Sequence, residues 1–266
     1  MNADADADAD ADAGVQVPMS ERAISVLRQL VSIWDEVCET QVPVLEDGDW
    51  ERGVSARVQV EHAVGLTRAV LILAEAGLRI ESVPLVRLTL ECAVTAVWLA
   101  TTPGSGKASY YQSTKDFGTL NKALLDINNK GMDEDLVTEQ IEEDIKALAA
   151  FRQKEAKVFI DRCGVVDSGV WLYAYYRLFS KTSHGGANLN DEYLADVGHS
   201  DLTPLGLAFK DPQSFSLWPI TLGFQVTMLF HALQAWDRIS STRPRKAALG
   251  ALSKEHHITL FDRLPH

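Results

Sequence analysis

The chain has 266 residues, 46 % apolar and 23 % charged, which excludes disordered and fibrous classes and suffices for one large domain. Its formal charge of −12 excludes a non-specific nucleic-acid coat, which needs a basic field. DNA is therefore not an expected partner, and only local basic clusters could meet RNA.

In chain order, the alternating Ala and Asp of the opening residues have no apolar face and no secretory leader pattern, so residues 1–18 are expected to be a disordered tail. A helix is expected over 19–41, with Ser20 as N-cap and Ile24, Leu27, Leu30, Val31 and Trp34 turned inward. An acidic, breaker-rich loop over 43–53 leads to a helix over 54–76, closed by Gly77. Pro84 opens an apolar helix over 85–100. That stretch is too short and, with Arg87 and Glu91, too charged to cross a membrane, and residues 217–236 carry polar groups on several sides. No membrane contact is expected.

Helices over 109–128 and 133–163 follow, the second the longest of the chain and rich in acid at its start. Gly164 stops it. An aromatic helix over 170–184 ends at Gly185-Gly186, a short helix is expected over 191–197, and residues 202–210 read as an extended arm or short hairpin. A strongly apolar helix over 218–240 comes last, and residues 241–266 are expected to be a flexible tail, basic at first. Strand alternation is nearly absent. The fold class is therefore all-α, a single bundle of about seven helices across 19–240 with a short non-helical arm near 202–210.

Three cysteines, Cys38, Cys92 and Cys163, are odd in number and widely separated, which argues against a disulfide framework or zinc knuckle and for a reducing cytoplasm. Pro103-Gly104-Ser105-Gly106-Lys107 lacks what a phosphate loop needs: Thr101 stands at the early glycine position, Ala108 follows the lysine, and a helix precedes. The histidines make no HExxH pattern, so neither a metal nor another cofactor is expected.

Two constellations carry chemistry. Arg87 and Glu91 lie four apart in an apolar helix, where each charge is costly unless paired. They read as a register-fixing ion pair or as part of a polar pocket. Arg57, Glu61 and Arg68 lie close to one stripe of the preceding helix, as a solvated charged row would. In the aromatic helix, Tyr176, Ser180 and His184 recur every four residues, and Tyr173 and Arg177 share that side. An imidazole can take the proton of a 2′-hydroxyl and a guanidinium can hold the phosphate, the minimum for metal-free RNA cleavage. Because apolar helices rarely carry isolated charges, Arg87, Glu91, Arg177 and His184 are expected to cluster inside the bundle. Arg152, Lys154, Lys157 and Arg162, or Arg243, Arg245 and Lys246, would supply the local basic field.

Arg87-x3-Glu91 running on to Trp98-Leu99, with Tyr176-x3-Ser180-x3-His184-Gly185 far downstream, resembles a bacterial all-helical family of unknown function over roughly 54–236. Arg177-x6-His184 also resembles the signature of HEPN domains, although Leu178 stands where those motifs usually carry a polar residue. That second resemblance implies a ribonuclease of a defence or toxin system, with Arg177 and His184 as the catalytic pair and two protomers joining their sites in a homodimer. The alternative is a non-catalytic helical module in which Arg87, Glu91, Tyr176 and His184 line a ligand pocket or fix the core.

Overall fold

The computed structural model describes residues 18–37, 45, 49–128, 134–166, 169–184, 189–211 and 214–259. The expected Asp-Ala tail over 1–18 lies outside them except for its last residue, as does the Gly185-Gly186 stop.

Helix α1 (Met19–Asp35) buries Ala23, Val26, Leu27, Leu30 and Trp34, one stripe at helical spacing. Helix α2 (Trp50–Glu75) begins earlier than its apolar pattern, because the Asp49 carboxylate accepts from the Arg52 N–H at 3.0 Å and caps the first turn. It closes on Gly77, whose φ of 76° is the left-handed geometry glycine tolerates. Helix α3 (Arg79–Thr101) starts six residues before the expected position, with Pro84 inside it. At 23 residues it is long and apolar enough to cross a membrane, which corrects the length argument made from sequence. Yet 72 % of its most apolar window is buried, so it serves as the central core helix. Helix α10 (Trp218–Ile239) packs against α1, α2 and α3, and these four enclose the core around Leu27, Val60, Leu90, Leu222 and Leu229.

Helices α4 (Ser105–Asn128) and α5 (Glu134–Leu148) form a hairpin beside this core. The first turn of α4 crosses that of α2 so closely that a Cβ on Gly106 would lie 2.2 Å from the Arg52 backbone nitrogen. The long helix expected over 133–163 is broken. After α5 come a 3-10 turn (Ala149–Phe151), α6 (Lys154–Lys157) and α7 (Phe159–Cys163), with extended backbone at Arg152 and Val158. Across the second interruption, at Val158, Arg162 takes up carbonyls of α6: its Nε donates to that of Glu155 at 2.7 Å and its Nη2 to that of Ala156 at 3.3 Å.

Helix α8 (Gly169–Ser183) lies on α3 and buries Leu172 and Phe179, and its Tyr175 ring packs 4.6 Å from Phe224 of α10. After α9 (Asn190–Tyr193), β1 (Leu194–Asp196) pairs antiparallel with β2 (Leu207–Phe209), Leu194 opposite Phe209. The expected short helix over 191–197 is thus half strand, and the arm is a hairpin. Helix α11 (Lys246–His256) forms where a flexible tail was expected, burying Leu249 and Leu252. It is led by Arg245, 1 % exposed, which packs 4.5 Å from the Trp34 ring and donates to the Val37 carbonyl at 3.0 Å. Among the described residues the architecture is all-α apart from this two-stranded ribbon, with eleven α-helices in place of about seven.

Candidate functional site

Three helices converge on the Arg87–Glu91 pair. From α3, Arg87 Nη2 meets Glu91 Oε1 at 3.0 Å and donates to the Tyr176 hydroxyl of α8 at 3.1 Å. Its guanidinium carbon sits 4.8 Å from the Tyr176 ring centroid, in cation–π range. Tyr176 in turn stacks on Tyr173 at 5.8 Å and packs against Phe159 of α7 at 4.6 Å. The Ser180 hydroxyl donates to the Tyr176 carbonyl at 2.6 Å, so it is spent on its own helix. The charged side chains are 19 % and 32 % exposed, so the pair expected inside the bundle is half-buried at its edge.

Arg162 of α7 completes this junction, and sequence reasoning missed it by assigning it to a surface patch. Its Nη1 donates to Thr95 Oγ1 of α3 at 2.6 Å. Burial lowers its pKa, opposed by the nearby Glu91 carboxylate. Burial also pushes the Cys92 thiol up to about 12, with the Glu91 charge adding to it, and the Cys163 thiol up to about 11. Neither sulfur is a nucleophile at neutral pH. Among the described residues no three His, Cys, Asp or Glu side chains are placed to share a metal ion.

Arg177 and His184 do not join the cluster, which corrects the expectation that they lie inside the bundle. One residue along a helix is a rotation of about 100°, so Tyr176 faces α3 while Arg177 faces solvent. Arg177, Lys181 and His184 form an exposed row at spacings of four and three, continued toward the start of α8 by Ala174 and Val170. Trp171 stands beside Val170 with 70 % of its surface exposed. Lys181 also lines a cleft of about 180 Å³ with Thr182, Asp191, Glu192 and Phe215. The repeat of Lys181 between Arg177 and His184 was visible in the sequence and went unused.

The remaining charges disperse. Arg57 pairs with Glu61 at 3.2 Å and lies over Trp34 at 4.2 Å, and Arg68 pairs with Asp35, so the stripe of α2 that carries the three meets α1 on one side. Arg243 faces the buried Asp237 at 3.8 Å and Arg245 is interior, which removes both from an RNA-facing patch. Arg152, Lys154 and Lys157 remain exposed.

A family model described as a family of unknown function, DUF5677, matches residues 60–200. No curated protein matches the chain, and neither does any solved structure. The matched span holds Arg87, Glu91, Tyr173, Tyr176, Arg177, Ser180 and His184, in keeping with the all-helical resemblance read from these motifs. The HEPN resemblance finds no support in these comparisons. With more than half of its length inside that match, the chain belongs to DUF5677, a family of unknown function.

Proposed function

We propose that the outer face of α8 is a working surface for single-stranded RNA, on which Arg177 and His184 form a metal-independent cleavage pair. The observation that supports this reading is the exposed row of Arg177, Lys181 and His184, with Trp171 exposed nearer the start of the same helix and about 100° round from that row. Cations that track phosphates next to an aromatic face that stacks a base are the two elements of single-strand binding. In the reaction, His184 takes the 2′-hydroxyl proton and the 2′-oxygen attacks the adjacent phosphorus. Arg177 holds the pentavalent phosphate. The phosphorus–5′-oxygen bond breaks, the 5′-oxygen takes a proton from water, and the imidazolium returns its own to water. The products are a 2′,3′-cyclic phosphate and a 5′-hydroxyl. The second reading is a non-catalytic helical module. It draws on Arg87 and Glu91 spending their charges on each other.

The test is labelled single-stranded RNA with the purified chain in excess chelator, beside His184→Ala, Arg177→Ala and Trp171→Ala. Cleavage by the wild type that disappears in the first two variants, with weaker RNA binding in the third, supports the nuclease. RNA left equally intact, or equally degraded, by wild type and His184→Ala overturns it in favour of the non-catalytic module.

A further inference from the structure

A second cleft, of about 330 Å³, lies between α1, the first half of α10 and the turn that ends α11. That volume falls within the roughly 300–1,000 Å³ of small-molecule sites, which the cleft at Lys181 does not reach. Its floor is aliphatic, from the buried Ala23, Val26 and Val226. Gly223 also lines it, and where a side chain there would begin there is open space. Three basic residues, Arg22, His256 and His257, belong to the lining, and among the described residues no acidic one does. Met19 adds the first turn of α1, which Pro18 leaves without a side-chain cap, so the positive end of that helix lies at the cleft.

The turn that carries the histidines is fixed. Ser253 Oγ donates to the Ile258 carbonyl at 2.8 Å, and the Ile258 N–H to the Ser253 carbonyl at 3.1 Å. Between them His257 holds a left-handed backbone, φ 55°, which favours glycine, and such conformations cluster at ligand sites. Both ring nitrogens of His256 are closed off from water and hydrogen-bonded to no described residue, the Glu255 carboxylate standing 3.5 Å from Nε2 but out of line. A ligand oxygen reaching that ring would give a buried polar group the partner it lacks. We propose that the cleft binds a free aliphatic carboxylate of medium chain length, its charge held by Arg22 and the imidazoles and its chain lying on Ala23, Val26 and Val226. The charge fits a single anion: Arg22 is a permanent cation whose fork matches a carboxylate, and even a neutral imidazole donates an N–H. The body is aliphatic because, the imidazoles apart, no ring among the described residues lines the cleft to stack a flat ligand. None of the lining residues falls within 60–200, so the site does not depend on the RNA reading.

The test is equilibrium dialysis of the full chain against labelled octanoate at neutral pH. The wild type is expected to retain one equivalent. Octan-1-ol, which lacks the charge, and acetate, which lacks the chain, are each expected to compete at least about tenfold more weakly than unlabelled octanoate. Gly223→Leu builds a side chain into the open space and is expected to abolish retention, with the melting temperature unchanged or raised. Arg22→Gln, at an exposed position, is expected to weaken binding at least about tenfold, and it reads the same site should the leucine disturb the fold. No retention by the wild type, retention equal to wild type by a folded Gly223→Leu or by Arg22→Gln, or octan-1-ol or acetate competing as well as octanoate overturns the proposal.

Discussion

The Arg87 guanidinium lies over the Tyr176 ring at 4.8 Å and reaches the hydroxyl of the same residue at 3.1 Å, so one contact between α3 and α8 combines a cation–π attraction with a hydrogen bond. Both groups are partly solvated, which limits the energy involved. A double-mutant cycle of Arg87→Ala with Tyr176→Phe isolates the hydroxyl's share, because phenylalanine keeps the ring. Urea unfolding is expected to give a coupling of about 1 kcal/mol. A coupling indistinguishable from zero would make this contact incidental to how α8 docks.

Gln225 of α10 sits in a fully buried polar knot. Its Nε2 donates to Thr67 Oγ1 of α2 at 2.7 Å and to Thr89 Oγ1 of α3 at 3.1 Å. Each threonine already donates its proton to its own helix, to Ala63 O at 2.8 Å and Leu85 O at 2.9 Å. The hydroxyls therefore stay satisfied without the glutamine, and Gln225→Met is expected to cost about 1 kcal/mol or less. Gln225→Glu would set a carboxylate against two oxygens with no proton to share, at a cost of several kcal/mol. Denaturant midpoints for the two variants check the order, and equal losses would show that the threonines reorient.

Burial pushes the His231 imidazole down to about 3 from its ordinary 6.5, with the hydrogen bond to Gln234 opposing. The unfolded chain takes up a proton below pH 6.5 that the folded chain refuses until about pH 3. This contribution to stability is complete above pH 6.5 and is lost as the pH falls toward 3. Between pH 7.5 and pH 5 the wild type is expected to lose about 2 kcal/mol more than His231→Gln. Urea titrations at the two pH values measure the difference, and parallel losses in both proteins would mean that His231 protonates within the fold.

Most of the bundle could be read from periodicity. Leu27, Leu30 and Trp34 repeat at helical spacing and are buried in α1, and the apolar run of α10 is interior along nearly its whole length. The break after Leu148 could not be read. Neither glycine nor proline marks it. Helix α11 escaped because its apolar anchor is only Leu249 and Leu252, and the arginine before it looks like a surface residue until Trp34 is seen against it. At the candidate site, the i, i+4 rule found Arg87 with Glu91 and placed Tyr176 with Ser180. It failed for Arg177 and His184 because a broad helical side seen in sequence divides, once packed, into an inward stripe and an outward one.

The close crossing at Gly106 has a consequence for how this chain can vary. A methyl group there would collide with the backbone at Arg52 and Glu51, which no rotamer change can relieve. Inheritance at position 106 is thus decided by volume alone, since even alanine would pry the α4–α5 hairpin from the bundle. Gly65 and Gly250, with open space where a side chain would begin, are free to drift.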